Sequence, residues 1–293
     1  MLYDTHCHPY LAEKKSQDEI LNNFSHTWDF LNCIWIDIES SQKSIHIANT
    51  NDFIYATIWI HPSYTKNYIG QSCISTHTEK KVGVNLCVHP IIHKLENFYL
   101  KNQKKVVAIW ECGLDYFYLW EKSWNKDIIL SDDEDKTIQK DFFIAQIKLA
   151  KKYNLPLIIH NRDAASDIFE ILIQEDFKNF IMHCFCEDLE YALKCIEFAP
   201  ECKISFSWIV TFNSAKDIQE TATKIPLKNI IIETDSPFLT PTPLRGKEEN
   251  EPIFVQYVLD KIIELREESA DEIKKTIFKN SLEMFSINDS PSS

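Results

Sequence analysis

Eight short apolar runs, at residues 2–5, 30–37, 53–60, 106–111, 157–160, 180–183, 203–207 and 230–234, recur along the 293-residue chain with longer amphipathic stretches between them. Runs this short, rich in Ile and Val, match strands buried on both faces of a parallel sheet. The intervening stretches carry helical periodicity: over 135–153, Phe142, Ala145, Leu149 and Ala150 fall on one face. Residues 163–174 and 188–198 read the same way, and 251–285 divides into two helices near Glu268 and Ser269. Parallel strands need crossover connections, so this alternation selects an α/β architecture. Eight such units in a chain of this length predict a TIM (β/α)8 barrel. A doubly wound sheet is the runner-up, but no Gly-rich phosphate loop follows the first run. A single barrel domain is expected over 1–287, with 288–293 as a frayed tail. Residues 63–83 and 118–135 read as insertions or long loops, the second ending in Asp132, Asp133, Glu134 and Asp135.

Composition narrows the class. No apolar run approaches the roughly 18 residues of a membrane span, and the N-terminus lacks the basic start and apolar stretch of a signal peptide. The nine Cys include no Cys-x-x-Cys pair, so reduced thiols in a cytoplasmic protein are expected. Cys184 and Cys186 near His183 offer a zinc site, although most of the Cys read as core residues. The net charge of −13, from 31 basic and 44 acidic side chains, excludes bulk attraction to nucleic acid. Any such substrate must be held by a local site, most naturally one built around metal ions.

The chemistry sits at the C-terminal ends of the predicted strands, where barrel enzymes place their sites. The first ends in Asp4-Thr5-His6-Cys7-His8, so His6 and His8 point to one side of an extended segment. Others end at Glu111, His160, His183 and Asp235. Singly, each has a structural reading: a satisfied core histidine or a pairing carboxylate. Five such endings on separate strands point to a metal centre, and four imidazoles with two carboxylates suit Zn, Mn, Fe or Co better than an all-oxygen calcium site. His26, His46, His77 and His93 read as surface residues. His61 and His89 each precede Pro after an apolar run, and His61 is taken as the one facing substrate at the barrel mouth.

In these motifs the chain resembles the TatD-type metal-dependent deoxyribonucleases of the amidohydrolase superfamily. The resemblance rests on Asp4-Thr5-His6-Cys7-His8, Glu111-Cys112-Gly113-Leu114-Asp115-Tyr116, and the segment from Leu155 through His160-Asn161-Arg162-Asp163 to Ala164. It continues through His183-Cys184-Phe185, Glu233-Thr234-Asp235-Ser236-Pro237-Phe238-Leu239-Thr240-Pro241, Arg245-Gly246-Lys247 and Asn250-Glu251-Pro252. It implies a TIM barrel holding two divalent metal ions (Mg, Mn or Zn). His6, His8, Glu111 and Asp235 would hold one ion, and Glu111, His160 and His183 the other, with Glu111 bridging. Two ions about 4 Å apart activate a water and stabilise charge on a phosphoryl centre. Asp235 and Glu111 are then the catalytic carboxylates, Asp235 as proton acceptor. Arg162 and Arg245, two of three Arg in the chain, suit either phosphate recognition or a structural ion pair. The implied substrate is DNA. The same barrel could instead hydrolyse another ester or amide bond, such as an aminoacyl-tRNA linkage, or have lost catalysis.

One departure from the family is systematic. Trp59, Trp110 and Trp208 stand where the family carries Gly, and Trp35 occupies a strand position often filled by Gly. Trp28, Trp120 and Trp124 lie in turn-like surroundings. Average usage of about 7% would give about 20 Gly, against four here. Some bacterial lineages read UGA as glycine, and translating such a gene with UGA as Trp produces this pattern. The expectation is that several or all seven Trp are glycines in the native organism. Overpacking by indoles at 59, 110 and 208 would cost about 1–3 kcal/mol. The gene decides the matter: UGA at these positions is the expected outcome, and UGG at all seven overturns it.

Overall fold

Eight parallel strands hydrogen-bond in sequence order, each to the next. In the computed structural model, which describes residues 1–25, 30–34, 38–68, 85–117, 119 and 131–287, they are β1 (Tyr3–Cys7), β2 (Phe30–Cys33), β3 (Ile54–Ile58), β4 (Val106–Asp115), β5 (Leu157–Arg162), β6 (Phe180–Met182), β7 (Lys203–Phe206) and β8 (Ile230–Ile232). Helices α1 (Gln17–Ser25), α2 (Ile38–Thr50), α3 (Asn85–Lys101), α4 (Asp132–Tyr153), α5 (Ala165–Gln174), α6 (Leu189–Phe198) and α7 (Lys216–Lys224) make the crossovers. Helices α8 (Val255–Leu265) and α9 (Ala270–Met284) follow β8. This is the TIM barrel that the alternation predicts. No helix among the described residues is long and apolar enough to cross a membrane.

The ring closes between β1 and the segment after β8. His8 N–H donates to Ser236 O (2.7 Å) and Asp235 N–H to His6 O (2.9 Å). Asp4, fully buried, pins the same seam: Oδ1 accepts from Thr234 N–H (2.9 Å) and His6 N–H (3.2 Å), and Oδ2 from the Thr234 hydroxyl (2.6 Å). Two apolar layers result. Tyr3, Phe30, Trp59, Ala108, Trp110, Ile158, Ile181 and Ile231 pack together, joined by Leu282, Met284 and Phe285 at the end of α9. A larger layer, including Leu31, Ile109, Phe142, Leu157 and Phe180, lies between strands and helices.

Three expectations shift. β4 runs four residues past Glu111, because a register irregularity between Ile109 and Cys112 lets the strand resume beyond it. The acidic run is not loop but the first turn of α4, where carboxylates meet the helix dipole. Ser131 caps that helix: its hydroxyl accepts from Glu134 N–H and the Glu134 carboxylate from Ser131 N–H. The 63–83 stretch begins with a 3-10 turn, Pro62–Tyr68; residues 69–83, 118, 120–130 and 288–293 lie outside the described residues. The division of 251–285 falls as expected, with Ser269 capping α9.

The Asp4 seam carries two strand ends that bear metal-capable groups. Replacing Asp4 by Ala leaves buried donors of Thr234 and His6 unpaired, so a loss of about 1–3 kcal/mol per stranded donor is expected. A lowered denaturant midpoint at unchanged m-value checks it.

Candidate metal centre

The barrel's construction brings seven of the predicted side chains to one place. His6 and His8 come from β1, His61 from the turn after β3, Glu111 from β4, and His160 from β5. His183 follows β6 directly and Asp235 follows β8. Glu111 Oε1 lies 3.4 Å from His160 Nδ1, 3.7 Å from His183 Nε2 and 3.7 Å from His61 Nε2. Asp235 Oδ1 lies 3.3 Å from His6 Nε2 and 3.7 Å from His8 Nε2. The His6 and His183 rings stack at 3.8 Å. Beside the cluster opens a cavity of about 610 Å³, lined by His8, His61, Tyr64, Glu111 and Phe238 among others.

Backbone strain marks the same spots. Glu111 (φ 49°), Cys184 (φ 41°) and Asp235 (φ 54°) adopt left-handed conformations that side chains other than Gly rarely take. Each turns the chain sharply at or beside a group of the cluster. Such strain persists only where surrounding contacts impose it.

Electrostatics follow from burial. Burial raises the Glu111 carboxyl, but His61, His160 and His183 outweigh it and hold it well below the usual range. Burial depresses His160, yet Asp115 and Glu111 overcome this and keep it at about 9. His183 is likewise depressed by burial and lifted by Glu233, to about 8. Burial and the neighbouring imidazoles push His6 well below its ordinary value. Burial takes His61 down to about 4.

The donor set fits divalent metals: imidazole nitrogens and carboxylate oxygens converge on one another. Ligand atoms of His6, His8 and Glu111 lie mutually within 4.8 Å, as do those of His6, His183 and Asp235, and those of His61, Glu111 and His160. His183 thus stands close to both groups that the family pattern separates. Cys184 makes a further set with His183 and Glu233, its thiol 3.1 Å from the Ser207 hydroxyl, while Cys186 is exposed. Arg162 and Arg245 do not line the cavity; their guanidinium carbons sit 4.0 Å over the Phe117 ring and 3.8 Å over Phe212. His46, His89 and His93 are exposed, and His26 and His77 lie outside the described residues.

Two site residues escaped the sequence reading. His160 Nε2–H donates to Asp115 Oδ2 (3.1 Å), and Asp115 is held by Gln139, which is tied in turn to Asp135. Glu233 Oε1 lies 2.8 Å from His183 Nδ1, while accepting from Cys184 N–H and, through Oε2, from the Ser205 hydroxyl. Both carboxylates are buried. The available signal was period two: Glu233 precedes Asp235 by two residues and shares its side in an extended segment.

The tryptophans fit better than expected. Trp59 and Trp110 are fully buried and housed among the barrel's inner side chains, Trp110 edge-on to His6 with ring centres 4.4 Å apart. The left-handed backbone that would favour glycine falls at Glu111, not Trp110. The anomaly is polar: the indole N–H groups of Trp110 and Trp208 are buried without a hydrogen-bond partner among the described residues, at a cost of about 1–3 kcal/mol each. Trp28, Trp35, Trp120 and Trp124 lie outside the described residues.

With this geometry in view, the comparisons are decisive. Residues 3–286 match the family described as TatD related DNase. The chain belongs to that family. It is 36% identical over 293 residues to YabD of Bacillus subtilis, named a metal-dependent hydrolase, covering 98% of this chain and all of that protein. A Mycoplasma pneumoniae metal-dependent hydrolase is 29% identical over 289 residues, 97% of this chain and 98% of its own. The crystal structure of the Escherichia coli TatD homologue YjjV superposes with a TM-score of 0.78 at 24% identity, covering 98% of each chain.

Metal uptake is expected to depend on pH. With raised values of about 9 and about 8, His160 and His183 are protonated at pH 7 in the metal-free chain. Ligation needs neutral rings, so uptake should release protons and affinity should rise as pH climbs from 7 through 9. Calorimetry in buffers of different ionisation enthalpy measures that release. Asp115→Asn and Glu233→Gln should each weaken binding about 10–100-fold.

Proposed function

We propose that this TatD-family chain is a divalent-metal-dependent hydrolase that cleaves phosphodiester bonds in DNA, using two ions. The observation that carries the reading is the convergence of His6, His8, Glu111, His160, His183 and Asp235 beside one cavity. His6, His8, Glu111 and Asp235 would hold one ion, and Glu111, His160 and His183 the other. When bound, such ions supply Lewis acidity and an activated water at neutral pH.

The chain's own residues divide the remaining work. Glu111 is kept ionised by its three imidazoles and carries no proton at neutral pH, so it would be available as a ligand to both ions. Proton acceptance from the attacking water falls to Asp235, whose carboxylate stands beside the His6–His8 pair. Asp115 orients His160 by accepting from Nε2, and the Glu233 carboxylate lies against Nδ1 of His183, on the side turned away from Glu111. Arg162 and Arg245, at the same end of the barrel, offer the phosphate backbone two local cations in a chain of net charge −13. Phe117 and Phe212 support the two guanidinium groups by cation–π contact.

The test is hydrolysis of single-stranded and duplex DNA by the full chain with Mg or Mn, before and after chelation. Glu111→Gln and Asp235→Asn are each expected to lose at least about 100-fold in kcat while circular dichroism stays unchanged. Full activity in either variant at saturating metal overturns the assignment.

A further inference from the structure

Three imidazoles present a nitrogen to Glu111, and what stands behind each ring decides what that nitrogen can do. A neutral imidazole has one protonated and one bare nitrogen. Behind His160 stands the Asp115 carboxylate, and behind His183 the Glu233 carboxylate, both pure acceptors. The rear nitrogens of these rings therefore hold the proton when neutral, and the front ones, Nδ1 of His160 and Nε2 of His183, offer lone pairs. His61 is backed by the opposite kind of partner. Two groups of Ser63 reach His61 Nδ1, the hydroxyl at 2.5 Å and the main-chain N–H at 3.1 Å; the amide can only donate, so that nitrogen is bare and the hydroxyl, which can turn either way, donates to it as well. The proton of His61 sits on Nε2, the atom 3.7 Å from Glu111 Oε1.

The local sequence fixes this arrangement. His61-Pro62-Ser63 opens the 3-10 turn Pro62–Tyr68 with proline at its first position, where no N–H is needed. The next free main-chain donor is Ser63 N–H, and the His61 ring accepts it as a capping side chain does. Tyr64 N–H returns to His61 O at 2.9 Å, closing the turn. The Trp59 ring lies edge-on to His61 at 5.4 Å and the His160 ring at 4.7 Å, limiting rotation of the imidazole.

We infer that His61 is a catalytic hydrogen-bond donor and not a metal ligand: its Nε2–H meets a non-bridging oxygen of the scissile phosphate in the cavity that His61, Tyr64 and Glu111 line. This deepens the phosphodiesterase reading and rests on it. The group donates without giving up its proton and stabilises the charge that builds on that oxygen in the transition state.

The experiment uses the full chain loaded with zinc for NMR and with manganese for kinetics. Long-range ¹H–¹⁵N NMR should find His61 protonated at Nε2. His61→Leu should keep the wild-type number of ions per chain yet lose about 10²–10³-fold in kcat with little change in KM. His61→Gln, whose amide N–H falls near the place of Nε2, should recover part of the loss. An ion lost from His61→Leu, a proton found at Nδ1, or an unchanged kcat overturns the assignment. A wild-type chain that binds its ions, shows the Nε2 proton and cleaves no phosphodiester overturns the function reading and the assigned ligand together. A proton at Nδ1 in an active enzyme overturns the role of His61 alone.

Discussion

A carboxylate buried at the mouth of a barrel has to be compensated, and Glu111 is that carboxylate. Removing a charge from water is unfavourable by several kcal/mol unless opposite charge or hydrogen bonds replace the solvent. Among the described residues Glu111 pairs with no Lys or Arg; its neighbours are three imidazoles. In the metal-free chain, protons on His160 and His183 supply the positive charge. Divalent ions would supply it more strongly, and the two forms of compensation are exchangeable because they use the same nitrogens. The rest of the mouth follows from this demand: acidic groups behind two rings to hold charge there, and strained backbone at Glu111, Cys184 and Asp235 to aim it.

The imidazoles are thus sorted from behind. Carboxylates at Asp115 and Glu233 make their rings electron-rich toward the centre. A carbonyl, Ile34 O, faces Nδ1 of His8 at 3.1 Å and leaves its Nε2 turned to His6 and Asp235. A main-chain amide behind His61 does the reverse of all three. Rings of one chemical type are assigned different duties by the partners that stand behind them.

Much of this was legible in the chain. Short Ile- and Val-rich runs announced a parallel barrel, and the polar residues at their ends announced the site, because a strand buried on both faces has no other place for His or Glu. Limits appeared where local periodicity is silent. The continuation of β4 beyond Glu111 depends on a register shift against β5, which no single strand's pattern records. Asp115 and Glu233 looked like two more acidic residues among 44; only the fold shows that each sits behind a histidine. The acidic run that opens α4 reads as loop because its charge masks a capping box, Ser131 with Glu134, that is visible in the sequence. The tryptophans were read by volume and by backbone freedom, whereas their burial leaves an unpaired N–H at Trp110 as the physical anomaly.

One of the four glycines ties these observations to the chain's freedom to vary. Gly113 is paired with His160 across the β4–β5 ladder, and a Cβ added there would land on the carbonyl oxygen of His160. At φ 140° it also holds a conformation that L side chains rarely adopt. Two residues before it stands Glu111. The strands that carry the shared carboxylate and its nearest imidazole therefore meet backbone to backbone beside the site, with no side chain of residue 113 between them. Substitutions elsewhere can retune the mouth of this barrel, its rim and its cavity wall, but the approach of these two strands leaves position 113 room for nothing beyond a hydrogen atom.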